Sequence, residues 1–287
     1  MRVAVVGGGL AGLGCAYHLL SLSAEGMRES PLHCVHVWDP CEPGEGGASA
    51  VAAGLLHPYS PKGSQLWKGA PGLEAALELI QEVETHAGIK VCERRGMLRL
   101  ALDEGQALAQ RAQTTTPGSF QRWVSREDAG AIAGAEVGGH GGLHVPEAVT
   151  VDTRSYLRSL WQLCRSMGGD DIDVSWVQAK VESVKNLRPQ DAEEADYDAI
   201  IVAAGAHSTS IQGLAWIPLR PCRGQNLLLG NIEGLQLPLI CGKYIVPAAA
   251  DGGATVISGA TFEYGSLDAC LRPADPEYAE VRCTFAP

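Results

Sequence analysis

The chain has 287 residues, of which 46% are hydrophobic, 19% charged and 6% aromatic. This composition is typical of a globular protein and excludes a disordered, collagen-like or coiled-coil chain. Acidic residues outnumber lysine and arginine by 33 to 22, and the resulting net charge of −11 is opposite to the positive charge with which proteins bind nucleic acids. We therefore expect a small-molecule partner rather than a nucleic acid.

Cysteine usage and the start of the chain favour a cytoplasmic protein. The nine cysteines are odd in number and never spaced as C-x-x-C, which favours reduced thiols over a disulfide framework or a metal site. An apolar run begins at Val3, which leaves no room for a signal peptide, and no stretch of about 18 apolar residues predicts a membrane helix. A cytoplasmic location is expected, and an organellar one stays open if a targeting segment precedes this sequence.

The first ninety residues predict a β–α–β unit followed by a helix. Residues 3–6 form a short run of small and β-branched residues, a glycine turn follows, and apolar residues recur at helical spacing from Leu10 to Leu20. Residues 34–39 predict a second strand, parallel to the first because a helix connects the two. A helical stripe then runs from Leu73 to Val83.

The sequence pattern changes near residue 90, where short strands such as MLRLAL begin. Helices are predicted after the capping residues Ser125 and Asp152. The segments DVSWV and KVESV predict strands, and the apolar segment AIIVAAG predicts a parallel strand buried on both faces. The final segments RGQNLLL, KYIVP and ATVISGAT predict antiparallel strands.

These elements predict an α/β protein with two interleaved domains. The first is a Rossmann-like domain with a parallel sheet, and the second is an antiparallel α+β substrate domain. We expect residues 1–88 and 150–216 to form the first domain, and residues 89–149 and 217–287 to form the second.

A dinucleotide fingerprint opens the chain. Gly7, Gly9 and Gly12 form G-x-G-x-x-G between a predicted strand and a helix, the context that this motif requires. Gly7 permits the tight turn, Gly9 admits a pyrophosphate, and Gly12 allows the helix to pack closely on the strand. The amides of the adjacent Gly8, Leu10 and Ala11 would face the phosphates. Asp39 ends the second strand, where its carboxylate can accept the ribose hydroxyls.

A second segment, residues 44–58, is nearly free of large side chains over ten residues. Such a backbone can lie directly against a ligand, and Ser49 can hydrogen-bond an oxygen of it. A surface loop without a ligand is the alternative, because such loops are equally rich in glycine and alanine.

These motifs, taken in order, resemble the amino-acid and amine oxidase family of flavoproteins, which includes D-amino-acid, glycine and sarcosine oxidases. The resemblance extends over nearly the whole chain, and GLLHPYSPKG at residues 54–63 is most similar to the oxidase half of the bacterial bifunctional enzyme that matures transfer-RNA wobble uridine and to its plant and algal relatives. The resemblance implies FAD as the cofactor. It places these residues at the cofactor: Gly7, Gly8, Gly9, Leu10, Ala11, Gly12, Asp39, Ser49, Ala53, Gly54, Val181, Ala203, Ala204 and Gly205.

The resemblance also implies a reaction, in which hydride passes from an amine-bearing carbon to the flavin and oxygen reoxidises the flavin. The family's chain continues past the GAT strand into a further segment over the flavin, so we expect this sequence to be C-terminally truncated. A flavin-binding module without catalysis, or a dehydrogenase with another electron acceptor, are the alternatives. No acid–base pair is expected, because the cofactor carries the difficult step.

Four residues are candidates for the substrate site. A substrate carboxylate would favour a bidentate arginine, and Arg220 and Arg223 lie in segments that could face the pocket, as does Tyr244. His57 adjoins the flavin segment and could contact the ring or the substrate. For each of these residues a packing or surface role is the alternative, and for His57 that alternative is a hydrogen bond to backbone within a turn.

Overall fold

The structure, a computed structural model, describes residues 1–26, 31–60, 63–114, 120–189, 196–230, 234–248, 255–268 and 270. Its strands are β1 (Arg2–Val6), β2 (Cys34–Trp38), β3 (Leu55–Leu56), β4 (Cys92–Glu93), β5 (Met97–Leu100), β6 (Arg122–Val124), β7 (Gly142–Val145), β8 (Val149–Val151), β9 (Asp173–Val177), β10 (Ala199–Val202), β11 (Cys222–Arg223), β12 (Leu227–Leu229), β13 (Leu239–Cys241), β14 (Lys243–Pro247), β15 (Val256–Gly259) and β16 (Glu263–Tyr264). Its α-helices are α1 (Leu10–Ala24), α2 (Gly47–Val51), α3 (Gly69–Ala87), α4 (Glu104–Gln113), α5 (Arg126–Ala133) and α6 (Thr153–Gly168).

A four-stranded parallel sheet is built from β1, β2, β9 and β10, in the order β10-β1-β2-β9. Val5 in β1 lies opposite both Val37 in β2 and Ile201 in β10. The predicted β–α–β unit and the predicted return of the chain to a parallel sheet are therefore confirmed. Because all four strands run in one direction, their carboxyl ends meet at a single edge of the sheet.

One face of this sheet packs against α1 and α6, and α3 packs in turn against α6. Leu13, Leu20 and Leu160 are at most 1% exposed and belong to the cluster between the helices and the sheet. Asp152 caps α6 by accepting a hydrogen bond from the amide of Ser155, as its position in the sequence predicts. A smaller cluster around Ala4, Val6 and Ile211 lies on the opposite face.

A second, seven-stranded sheet has the order β12-β15-β14-β13-β5-β7-β6. The three segments predicted as antiparallel strands contain β12, β14 and β15, which pair in antiparallel fashion, but β13 runs parallel to β5. The predicted antiparallel domain therefore contains one parallel strand pair that the sequence did not indicate. The reason is connectivity: β5 and β13 come from two distant parts of the chain, so no hairpin imposes an antiparallel pairing. The separate strands β3, β8 and β4 form a small sheet, and β11 pairs with β16.

Two strand predictions need correction. Residues 180–184 do not form a strand: Ser183 makes one isolated bridge to Gln212, and its hydroxyl accepts the amide of Lys185 as a 3₁₀ helix begins at Val184. This local side-chain bond competes with strand pairing. β10 is half-buried rather than buried on both faces, because within the described residues it is an edge strand beside β1 alone.

The two main sheets are interleaved along the chain. The parallel sheet takes strands from residues 2–38 and 173–202, and the larger sheet takes strands from residues 97–145 and 227–259. This arrangement confirms the predicted fold class, while the boundaries at residues 88, 149 and 216 stay a prediction. No helix in the described part of the chain is long and apolar enough to cross a bilayer. The predicted strand residue Ala254, the residues 271–287 and thus Cys283 lie outside the described residues.

Candidate functional site

The glycine turn after β1 lies at the carboxyl edge of the parallel sheet. Gly7 has φ +107°, and a Cβ atom there would lie 2.3 Å from the carbonyl oxygen of Ala203. Its amide donates to the carbonyl of Trp38 at 2.8 Å, and the amide of Ala203 donates to that of Val6 at 2.7 Å. Only glycine fits this conformation and this approach, so the turn is fixed by the ends of three strands.

The other fingerprint glycines are equally crowded. A Cβ atom on the intervening Gly8 would lie 2.1 Å from the Trp176 ring. A Cβ atom on Gly12 would lie 1.8 Å from the carbonyl oxygen of Gly7. Gly9 is the N-cap of α1 and provides no side-chain cap of its own. Leu10 and Ala11, in its first turn, are exposed. The backbone amides here form the positive N-terminal end of a 15-residue helix, the arrangement that binds a pyrophosphate.

Asp39 lies beside this turn, directly after β2. One carboxylate oxygen accepts the amide of Gly8 at 2.8 Å, and the other accepts the amide of Cys41 at 2.9 Å. Each oxygen of a carboxylate can accept more than one hydrogen bond, so the group keeps capacity for the ribose hydroxyls predicted to bind there. The two amides also fix the carboxylate's orientation.

The second predicted segment reaches the same place. Residues 47–51 form α2, and the Ser49 hydroxyl accepts the amide of Leu10 at 3.2 Å. A Cβ atom on Gly9 would lie 2.8 Å from that hydroxyl oxygen. The structure thus brings Ser49 to the fingerprint. Ala53 is half-buried. Gly54 has φ +75°, and a Cβ atom there would lie 1.9 Å from the carbonyl oxygen of Val151, so both its backbone conformation and its surroundings require glycine.

The third predicted segment follows β10. Ala203 contacts the glycine turn, Ala204 packs in the cluster that contains Val181, and Gly205 is exposed at the start of a 3₁₀ helix. Val181 is half-buried in the irregular segment after β9. These four residues therefore lie near the carboxyl edge of the parallel sheet. The glycines, the helix end, Asp39 and Ser49 together fit the diphosphate and ribose of FAD.

Tyr244 lies on a face of the seven-stranded sheet that reaches residues 44–58 through Asn226 and Val51. Its hydroxyl donates to the side-chain oxygen of Asn226 at 2.6 Å, and the Asn226 amide donates to the carbonyl of Val51 at 2.9 Å. Sequence reasoning missed Asn226. The only signal was its position in the predicted strand segment RGQNLLL.

The two predicted arginines do not join this group. Arg220 is exposed and lies over the Tyr264 ring, with its guanidinium carbon 4.7 Å from the ring centroid. Arg223 is buried but forms an ion pair with Glu263 at 2.9 Å and donates to Gln225 and to the carbonyl of Cys270. Their observed contacts join β11, β16 and the neighbouring loop.

His57 is half-buried in a turn where its Nδ1 accepts the amide of Tyr59 at 3.2 Å. A hydrogen bond to backbone within a turn is the alternative to a substrate contact that the sequence left open for His57. Burial, followed by the positive charge of Arg99, lowers the pKa of His57 from 6.5 to about 4. The imidazole is therefore neutral at physiological pH. Sequence reasoning missed Arg99, which is 7% exposed in β5.

The described residues also form a cavity of about 430 Å³ beside Pro58. Leu73, Leu77 and Phe120 form its apolar walls. Neither His57 nor Tyr244 lines it, so it is separate from the candidate substrate residues.

Residues 2–284 match the protein family described as FAD dependent oxidoreductase. A curated relative is the tRNA 5-methylaminomethyl-2-thiouridine biosynthesis bifunctional protein MnmC of Burkholderia thailandensis, 29% identical over 241 residues. That alignment covers 79% of this chain and 36% of the relative, so the chain spans well under half of that protein.

Solved structures with the same fold include two oxidases. Glycine oxidase from Geobacillus kaustophilus superposes with a TM-score of 0.73 at 20% identity, covering 93% of this chain and 73% of the other. Iminodiacetate oxidase from Chelativorans sp. BNC1 superposes with a TM-score of 0.71 at 23% identity, covering 98% of this chain and 77% of the other. These likenesses extend over both main sheets.

Proposed function

The chain belongs to the FAD dependent oxidoreductase family, and from that premise we propose that it oxidises the carbon–nitrogen bond of a small amine or amino acid, with molecular oxygen as the electron acceptor. The observation that carries the proposal is the contact of Ser49 with the Gly9–Leu10 turn, because it joins the dinucleotide cradle to the segment that leads to His57. The names of the two superposed oxidases, which act on glycine and on iminodiacetate, support this substrate class.

Bound FAD supplies a ring that accepts a hydride from the carbon next to the substrate nitrogen. The residues of this chain bind and orient. The amides at the start of α1 hold the pyrophosphate, and Asp39 accepts the ribose hydroxyls. Ala203, Ala204 and Gly205 leave room for the cofactor at the edge of the sheet.

On the substrate side, Tyr244 and Asn226 form a hydrogen-bonded pair attached to Val51. A fixed phenol and amide can position a polar substrate, since few convergent polar groups suffice to orient a ligand. Because Nδ1 of neutral His57 accepts the Tyr59 amide, its Nε2 carries the proton and can donate a hydrogen bond, but the ring adds no positive charge. The amine must reach this site unprotonated for hydride transfer, and the burial and the positive charge of Arg99 that lower the pKa of His57 would favour the unprotonated form of an amine beside it.

The relative from Burkholderia thailandensis supports a second candidate substrate, an aminomethyl group on a transfer-RNA base. The chemistry would be the same, because the reacting bond again joins carbon and an amine nitrogen. The net charge of −11 opposes this candidate, since transfer RNA is a polyanion.

The test uses the purified full chain with added FAD. We expect a bound flavin spectrum, and we expect glycine, N-methylglycine or a D-amino acid to bleach that spectrum without oxygen and to release hydrogen peroxide with oxygen. Bleaching without peroxide would contradict oxygen as the electron acceptor and indicate a dehydrogenase that uses another acceptor. Bound FAD that no amine reduces would contradict the proposed reaction and favour a flavin-binding module.

A further inference from the structure

The cavity beside Pro58 is built along one face of α3. Six residues of the helix line it, at the spacing of a single helical face: Ala70, Leu73, Glu74, Leu77, Glu78 and Gln81. The other walls include Pro58, Tyr59 and Phe120. A volume of about 430 Å³ and a mainly apolar lining are typical of a site for a small molecule.

The glutamates of α3 fall into two groups. Glu82 accepts the hydroxyl of Tyr17, and Glu84 accepts two backbone amides at the start of β4. Neither of these two lines the cavity. Glu74 and Glu78 do line it, and they form no hydrogen bond or ion pair with any residue that the structure describes. Because they lie four residues apart on the helix, their negative charges repel each other.

A third carboxylate of the cavity belongs to Glu147, in the turn between β7 and β8. Its Oε1 accepts the hydroxyl of Tyr59 at 2.7 Å, and that hydroxyl accepts the amide of Phe120 at 3.3 Å. Its Oε2 is buried and has no hydrogen-bond partner among the described residues. The carboxylate is thus held in place by a phenol, without a cation of the described chain paired to it.

The charge and the rings of the cavity favour a cationic ligand. Of the described residues that line it, Arg94 alone is positively charged, and its side chain is exposed and forms no ion pair with the three carboxylates. An excess of negative charge beside apolar walls attracts cations more strongly than the same charge in open water. Tyr59 and Phe120 add aromatic rings, which also attract alkylated ammonium groups.

We infer that this cavity binds an organic ammonium ion with an apolar body, at a site separate from the FAD cradle. The ammonium group is attracted by Glu74, Glu78 and Glu147, and the apolar body packs on Leu73 and Leu77. The inference goes beyond the proposed function and does not depend on it, because binding here needs no oxidation of the ligand.

The first test compares three probes by isothermal titration calorimetry on the purified full chain with added FAD. Benzyltrimethylammonium carries a cation on an apolar ring, phenylacetate an anion and benzyl alcohol no charge. A quaternary nitrogen lacks the lone pair that amine oxidation requires, so the proposed reaction cannot consume the cationic probe. We expect the cation to bind at least about tenfold more tightly than the other two probes, and to lose affinity as salt is added. Equal binding of all three, or no binding of the cation, would overturn the inference.

Variants then locate the site. The pair Glu74→Gln and Glu78→Gln removes two negative charges from the cavity, and the control pair Glu104→Gln and Glu127→Gln removes two from exposed positions on α4 and α5. The first pair should weaken binding of benzyltrimethylammonium by about 3- to 10-fold, the effect of two exposed charge pairs, and the control pair by less than about twofold. Tyr244→Phe, at the candidate substrate site, should leave binding unchanged. Equal weakening by both pairs would indicate a response to net charge alone, and loss of binding in Tyr244→Phe would assign the ligand to the substrate site. Either result would refute the inference.

Discussion

Gly9, which precedes α1, and Gly14, inside α1, form a pair of test positions with different surroundings. A Cβ atom would lie 2.8 Å from the Ser49 hydroxyl at Gly9 but would meet nothing within 4 Å at Gly14. We expect Gly9→Ala to weaken FAD binding at least tenfold, because the methyl group narrows the phosphate cradle. Gly14→Ala should keep the affinity and stabilise α1 by about 1 kcal/mol. Titration of the apoprotein with FAD measures the first effect, and equal affinities would contradict it.

The burial of His57 makes a prediction about pH. Its pKa falls from 6.5 to about 4 on folding, so the unfolded chain binds the additional proton between these values. The free energy of unfolding should therefore rise as the pH increases from 4 to 6.5 and level off above that. His57 should account for about 2 kcal/mol of this rise, after allowance for its partial exposure. His57→Gln should reduce the difference in stability between pH 4.5 and pH 7. The exposed His18 provides the control His18→Gln, which should leave the difference unchanged.

Site residues that belong to a short sequence motif could be predicted from the sequence. Site residues whose neighbours come from distant strands could not. The glycine turn, Asp39 and Ser49 belong to motifs that specify their own surroundings over a few residues. Arg99 acquires its neighbours from Ile240, more than a hundred residues away, and its position in MLRLAL looks the same as that of a surface residue. Asn226 likewise depends on Val51.

At the scale of elements, α6 is the helix whose cap matters most. Its buried side chains, among them Leu157, Leu160 and Trp161, pack against the sheet and α1. Asp152→Ala removes the acceptor for the Ser155 amide and should lower the free energy of unfolding by about 1 kcal/mol, measured by urea denaturation. Asp152→Asn should retain most of the stability. Asp170→Ala, at an exposed residue just beyond the helix, is the control and should change it little.

Helices were easier to predict than strands. The capped helices α5 and α6 carry their start signals in the sequence. The segment KVESV has strand-like residues, yet it lies beyond the end of β9, and its one β-bridge joins Ser183 to Gln212. β13 was absent from the prediction, because a three-residue strand such as Leu239–Cys241 has too few positions to show alternation.

At the scale of the whole molecule, net charge distinguishes the two candidate substrates. A chain with a charge of −11 should bind transfer RNA weakly, and what binding there is should fall steeply with salt. We expect no retained complex in a filter-binding assay at physiological salt with micromolar protein. Tight binding at that salt would contradict the small-molecule proposal and favour the transfer-RNA base.

The parallel sheet also constrains the order in which the molecule can form during synthesis. β1 leaves the ribosome before the other strands of its sheet, but its neighbour β10 begins only at Ala199. About two hundred residues must therefore be made before Ala203 can close against Gly7. Until then the first strand keeps one edge open to other chains, and such edges invite aggregation. We expect newly made chains to depend on chaperones during this interval more than a protein with sequential strands would.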